Sequence, residues 1–244
     1  MRYFITFSYD GSKYNGYQKQ PNGRTIQNEI EKALFQINGG EVVNISASGR
    51  TDAGVHALNQ KAHFDLNKDL PPEKLLKALN SLIPGDIYIK EINIVDNDFH
   101  ARFDVKSKEY IYKINIGEYN PIEKDYIYQY NKQLNIEEMN KALKYLEGTH
   151  DFKSFTKTDE EKDDYVRTIL KTEIKEEANI ITISFLGTGF LRYMVRNMVG
   201  LLIEIGEGKR KSEDIINILE AKDRKKAGKT ANPEGLYLKD VFYE

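Results

Sequence analysis

The chain contains no cysteine and no tryptophan. Without thiols it has no disulfide, no thiolate metal site and no cysteine nucleophile. Four histidines leave little for a His-rich metal centre. Asp98 and His100 in "DNDFHARF" suggest a ligand pair, but without Cys or a second His at ligand spacing a zinc deaminase site is excluded on count. No metal and no cofactor is expected. Long apolar runs are missing too, so no membrane-spanning helix is expected. The start, "MRYFITFSYDGS", lacks the charged and apolar regions of a signal peptide, and the chain reads as cytoplasmic. Nor does one sign of charge dominate: 36 Lys and Arg stand against 38 Asp and Glu, a net charge of −2. That gives no global attraction to a polyanion, so any such binding must use local fields. Locally the charge is uneven. "KTDEEKDD" around Asp159 is acidic, and "GKRK" from Gly208 and "KDRKKAGK" from Lys222 are basic.

What is present is an ordinary globular composition, 40% hydrophobic and 30% charged over 244 residues. That length suits one large domain or two small ones. Strand and helix patterns alternate. In "RYFITFSY", Tyr3, Ile5, Phe7 and Tyr9 share one face of a strand. Thr25 caps a helix whose Ile26, Ile30, Ala33, Leu34 and Ile37 lie together. "EVVNISASG" and "ALNQKAHFDL" read as antiparallel strands. Pro71 and Pro72 open a second helix burying Leu75, Leu76, Leu79 and Leu82, and "DIYIKEINIV" follows as a strand. Strand, helix, strand, strand, helix, strand is the order of a ferredoxin-like unit, found also in RNA-recognition folds.

The second half repeats the style less cleanly. "KEYIYKINIG" is a strand and "NIEEMNKALKYLEG" a helix. "RTILKTEIKE" and "NIITISFLG" form a hairpin. "GFLRYMVRNMVGLLIEIG" is an apolar helix with Phe190, Met194, Met198 and Leu202 in one stripe, and on it Arg192 and Arg196 are one turn apart. "SEDIINILEAK" is a helix capped by Ser212, and "GLYLKDVFY" is a last strand. The expected fold is α+β: two ferredoxin-like halves with antiparallel sheets, residues 1–104 and 105–244, packed side by side with the active-site cleft between them.

The chemistry centres on "SASGRTDAGVHA", Ser46–Ala57. Asp52 lies among small residues, two positions after Arg50. A carboxylate beside a guanidinium stays ionised and fixed in direction, and serves as nucleophile or base. An Asp–Arg pair that only stabilises a turn fits the same spacing. His56 reads as a base or as a structural group. Rings and basic groups interleave in "SKYNGYQKQ" and "HARFDVKSKEYIYK", a mixture suited to RNA, where bases stack and phosphates pair with cations. Tyr110 and Tyr112 serve equally as core residues of a strand. An Arg on so apolar a helix as that of Arg196 needs a carboxylate or a phosphate.

Taken together, these segments resemble the TruA family of tRNA pseudouridine synthases. "SGRTDAGVHA" is similar to its signature, and "YDGSKYNGYQKQPNGRTIQNEIEKAL" to its N-terminal block. "FHARFDVKSKEYIY", "DFKSF", "VRTI", "GFLRYMVRNMVG", "AKDR" and "PEGLYL" resemble its later blocks in the same order. The resemblance implies isomerisation of uridine to pseudouridine at positions 38, 39 and 40 of the tRNA anticodon arm. It implies Asp52 as the catalytic aspartate and Arg50 as its paired arginine, which also holds the flipped nucleotide. Tyr110 would stack on the uracil and remove the C5 proton. Leu236 and Phe155 would line the base pocket, and Arg196 would support the aspartate. Lys13, Tyr14, Gln18, Lys19, Arg24, Arg102 and Lys108 would meet the RNA. A homodimer binding one tRNA across both subunits is implied as well. Tyr17 stands where that family commonly has Trp or Phe. Other readings stay open: a non-catalytic RNA-binding protein on the same scaffold, a paralogue acting on another RNA such as rRNA, and a hydrolase using Asp52 and His56.

Overall fold

The computed structural model describes residues 1–157 and 164–244. Most of the acidic run near Asp159 lies outside the described residues. The chain divides into two compact units: Met1–Lys106 with Tyr237–Glu244, and Ser107–Leu236. Both are α+β.

The first unit opens with β1 (Arg2–Tyr9), whose alternate residues Tyr3, Ile5, Phe7 and Tyr9 are buried, as period-two patterning requires. Helix α1 (Ile26–Ile37) covers that face with Ile26, Ile30, Ala33 and Leu34. Thr25 occupies its N-cap position in extended geometry, but its side chain makes no capping bond. Strand β2 is only Ser46–Ala47, much shorter than its apolar run suggests. β3 (His56–Asp65), α2 (Pro72–Leu82) and β4 (Ile87–Val95) follow. In α2 only Leu75 and Leu79 are fully buried, and Leu82 is exposed. β1 lies between β3 and β4, antiparallel to both. On β3, His63 and Ala62 pair with β2, and His56 and Ala57 pair in parallel with Tyr237 and Leu238 of the last strand, β10 (Leu236–Phe242). That pairing gathers residues 237–244 into the first unit, whereas the sequence pattern placed them with the second half. Each apolar side chain in this core contributes roughly 1.5–3 kcal/mol, which holds the strand that ends at Tyr9 rigid beneath the Asp52 loop.

The second unit is built on β5 (Ser107–Asn115), the short β6 (Tyr128–Gln129), β7 (Gly148–Asp151), β8 (Val166–Glu177) and β9 (Ile180–Gly187). β9 lies between β5 and β8, antiparallel to both, and β7 extends the sheet beyond β8. Ala178 and Asn179, both at positive φ, close the β8–β9 hairpin in two residues, the turn that the strand twist favours. Helix α3 (Ile136–Leu146) starts at Asn135, whose side chain accepts the Glu138 N–H, and buries Met139, Ala142, Leu143 and Leu146. Helix α4 spans Met194–Gly206 and α5 Asp214–Ala221. α4 starts later than its sequence pattern predicts. Tyr193 adopts a left-handed conformation, φ 62°, which ends helical geometry there. Phe190 and Arg192 therefore precede the helix; of the expected stripe Met194, Met198 and Leu202 lie on it, and all three are buried, together with Val195, Val199, Leu201, Ile203 and Ile205.

Candidate active site

Asp52 lies in the turn between β2 and β3, half-buried. The loop after β1 is laced to this turn on both sides of the carboxylate. The Tyr17 N–H donates to Thr51 O at 3.1 Å, and the Gly54 N–H to Tyr14 O at 3.3 Å. The Val55 N–H closes the turn onto Asp52 O at 3.2 Å. Gly16, at φ +95°, lies against the same backbone: a Cβ there would stand 2.9 Å from Thr51 O and 3.3 Å from the Asp52 carbonyl carbon. Only glycine accepts both that φ and that approach.

Side chains fix the turn from beneath. The hydroxyls of Tyr9 and Thr51 are hydrogen-bonded at 2.8 Å in the interior. Burial pushes the Tyr9 phenol up to about 12, against the hydrogen bonds to Thr51 and Gln60 that lower it. Tyr9 therefore stays neutral. Gln60, fully buried, accepts from Ser48 Oγ at 2.6 Å and donates Nε2 to Gly49 O at 3.1 Å. These bonds hold residues 48–51 rigid, a requirement for a carboxylate that must meet one carbon atom. Because Thr51 points inward, Arg50 is on the outer side of the turn and exposed.

His56 is a held group rather than an isolated base. Its Nδ1 accepts the Gly11 N–H at 3.1 Å and lies 3.3 Å from Asp10 Oδ1, and its ring stacks on Tyr237 at 4.7 Å. No local pattern links Asp10 to His56.

The expected RNA-facing residues separate into two groups. Lys13, Gln18 and Arg102 are exposed, with the Arg102 guanidinium 6.0 Å from the Phe103 ring. Arg24, Tyr14 and Asp86 instead form a cluster. Arg24 places both terminal nitrogens on Asp86, at 2.9 and 3.1 Å, and lies 4.3 Å over the Tyr14 ring. The Tyr14 hydroxyl donates to Asp86 too, and its ring is only 3% exposed. Tyr14 is thus a packing element of the loop, since Arg24 covers the face a base would use. Lys19 is exposed, with Nζ 3.2 Å from Glu31. Tyr17 packs on Phe7 at 6.5 Å, and its buried hydroxyl has no protein partner among the described residues.

In the second unit, Lys108 and Tyr110 lie on β5, opposite Gly187 and Phe185. Tyr110 is 8% exposed and meets the edge of Phe190 at 5.1 Å. Phe155 is fully buried, and Leu236 is buried at the start of β10. Arg196, on the first turn of α4, is half-buried. Its Nε donates to Ala231 O at 2.8 Å, its own carbonyl accepts the Ala231 N–H at 3.0 Å, and its guanidinium lies 5.1 Å from the Tyr193 ring. Arg192 lies 5.3 Å from the same ring. Among the described residues, no group of three or more His, Asp or Glu is placed to hold a metal ion, and no helix is long and apolar enough to cross a membrane.

The chain, with its small-residue turn presenting an aspartate on an α+β scaffold, matches a known family model over most of its length. Residues 5–104 and 142–244 fit the model described as tRNA pseudouridine synthase, and the chain belongs to that family. Relatives bear a more particular name. A protein of Geobacillus sp. (strain WCH70) called tRNA pseudouridine synthase A is 47% identical over 98% of this chain and 97% of its own. Proteins of the same name from Anoxybacillus flavithermus (strain DSM 21510 / WK1) and Latilactobacillus sakei subsp. sakei (strain 23K) are 48% and 42% identical. They cover 98% and 100% of this chain, and 97% and 99% of theirs.

Proposed function

We propose that this protein isomerises uridine to pseudouridine in tRNA, with Asp52 as the reacting carboxylate. The clamped turn around Asp52 carries the reading. Main-chain bonds on either side, the Tyr9–Thr51 contact and the close approach of Gly16 fix a half-buried carboxylate that a mere surface turn has no need to fix.

The reaction breaks the N1–C1′ bond and makes a C5–C1′ bond. Asp52 attacks C1′ as N1 leaves, giving an ester, or draws a C2′ proton as N1 leaves, giving a glycal. The released uracil turns in its pocket and C5 bonds C1′, displacing Asp52 from the ester or, in the glycal route, with the proton returned from Asp52 to C2′; C5 then loses its proton and N1 gains one from solvent. Tyr110 stacks on the base and takes that proton, Leu236 and Phe155 form the apolar wall, and Arg196 supports the carboxylate. Arg50 and the exposed Lys13, Gln18 and Arg102 meet the RNA, with Lys19, Arg24 and Lys108 at its margin. Extruding the base costs a few kcal/mol, less in a loop than in a stem; resemblance to the family, not this cost, points to positions 38, 39 and 40 of the anticodon arm. A cytoplasmic homodimer binding one tRNA across both subunits completes the reading; sizing with and without tRNA checks the dimer.

The deciding experiment is tritium release from tRNA labelled at uridine C5. Release by wild type and none by Asp52→Asn is expected. Tight tRNA binding without release by wild type would instead make the protein an RNA binder. Equal release by both proteins would remove Asp52 from the chemistry.

A further inference from the structure

A buried polar hub lies one residue beyond Arg196. The Asn197 side chain is fully buried and makes three hydrogen bonds. Its Nδ2 donates to Phe155 O at 2.7 Å. Its Oδ1 accepts from Arg224 Nη2 at 2.9 Å and from Thr230 Oγ1 at 2.7 Å. Arg224 spreads its fork over three oxygens: Asn197 Oδ1, Thr230 Oγ1 at 2.8 Å and Gly228 O at 2.7 Å. Thr230 thus accepts from Arg224 and donates its one hydroxyl proton to Asn197. Burial lowers the Arg224 pKa, with Glu204 acting the other way.

These bonds fold the 224–231 segment onto α4. The segment comes so close that a Cβ on Gly200 would lie 1.7 Å from Lys229 O. Residue 231, next to Thr230, supplies the carbonyl that receives Arg196 Nε. Residue 232 accepts the Tyr112 hydroxyl at 2.8 Å, and Gly235 lies against the Tyr112 ring just before Leu236. The hub therefore touches Phe155 directly, fixes the acceptor of Arg196, and anchors the strap that leads to Leu236.

We infer that Asn197, Arg224 and Thr230 are positioning residues for the uridine pocket, setting the direction of the Arg196 guanidinium through Ala231. None of them need touch substrate. A chain of mutually linked hydrogen bonds anchored on a fully buried Asn197 favours one arrangement, which gives it the stiffness to aim a long side chain. The inference rests on the proposed isomerase reading for the roles of Arg196, Phe155 and Leu236.

The test uses Thr230→Val, which removes the hydroxyl at an exposed position at nearly constant shape. Thr230→Ser keeps the hydroxyl, and Arg224→Lys keeps the charge but loses the fork. Three quantities are read: the single-turnover rate of pseudouridine formation, the tRNA Kd, and solvent exchange of the Arg196 Nε–H by ¹⁵N NMR. The resonance is assigned from its loss in Arg196→Lys. For Thr230→Val and Arg224→Lys the rate should fall roughly tenfold, as a displaced catalytic geometry predicts. Kd and thermal midpoint should hold, and the Nε–H should exchange faster. Thr230→Ser should restore both rate and protection. Unchanged exchange in Thr230→Val and Arg224→Lys would overturn the inference, as would a rate loss that only follows a weaker Kd or a lower midpoint. The exchange measurement needs no turnover. If wild-type protein released no tritium, the isomerase reading would fail while the aim of Arg196 would still be decided.

Discussion

Replacing Gly16 with Ala tests whether the clamp on the Asp52 turn matters for catalysis. Two costs follow from the geometry. At φ +95° an L-residue is strained, by about 1–2 kcal/mol. The new methyl also meets backbone at 2.9 Å, at Thr51 O, with Ala53 N at 3.2 Å. Backbone yields less readily than a side-chain tip, so overpacking adds about 1–2 kcal/mol. The sum, about 2–4 kcal/mol, is less than the stability of a typical domain, and the variant should remain folded at 25 °C. Relief requires the Asp52 turn to retreat by a few tenths of an ångström. With a penalty of roughly a hundredfold per ångström of misplacement, the rate should fall about three- to tenfold. Urea unfolding reads the first number and tritium release under single-turnover conditions the second. Gly85→Ala is the control, since no atom lies within 4 Å of a Cβ there and its φ is ordinary. If Gly16→Ala matched Gly85→Ala in midpoint and in rate, the clamp would be ornamental and the argument for a built carboxylate would collapse.

Gly200→Ala should be the more damaging glycine change. Its Cβ would lie 1.7 Å from Lys229 O, so the loss should exceed about 3 kcal/mol in urea unfolding. Tyr17→Phe should stabilise the protein by about 1 kcal/mol, because it deletes a buried hydroxyl that has no protein partner among the described residues. An unchanged or lower thermal midpoint would show that the hydroxyl is satisfied. His63 accepts the Ala101 N–H at Nδ1, 3.1 Å away. Burial first, then Arg2 and His100, pull its pKa below the ordinary 6.5. The unfolded chain therefore takes up this proton more readily than the folded one. His63's contribution is complete above about 6.5 and is lost as pH falls from there to the lowered folded value. His63→Gln should flatten the slope of stability against pH in that window, and an unaltered slope would assign it to other groups.

Much of the architecture is legible in short stretches. The alternation in residues 2–9 gave β1 and its buried face, because strand burial has a period of two and needs only neighbours in sequence. The same local logic found α1, α2, α3 and the β8–β9 hairpin. The small-residue turn at Asp52 and the ordered blocks around it marked the family. Local logic failed where a distant segment, or one unusual backbone angle, sets the outcome. Tyr193 at φ 62° removed Arg192 and Phe190 from α4, although the spacing of Phe190 matched its stripe. The 41–49 run looked like a full strand, yet only two residues pair, at Ser46↔His63 and Ala47↔Ala62.

The sequence by itself determined the class of fold, the candidate reacting carboxylate and the family, because each depends on residue identity or on periodicity within a few turns. Only the tertiary structure decided who holds that chemistry in place. Tyr9 bonds Thr51 from 42 positions away, Arg24 reaches Asp86 across 62, and Asn197 gathers Phe155, Arg224 and Thr230 from separate elements. The last strand returns to the first unit by pairing with β3. Such partners leave no trace in local pattern: a hydrogen bond asks only that donor and acceptor meet within about 3 Å, and the path of the chain between them decides whether they do.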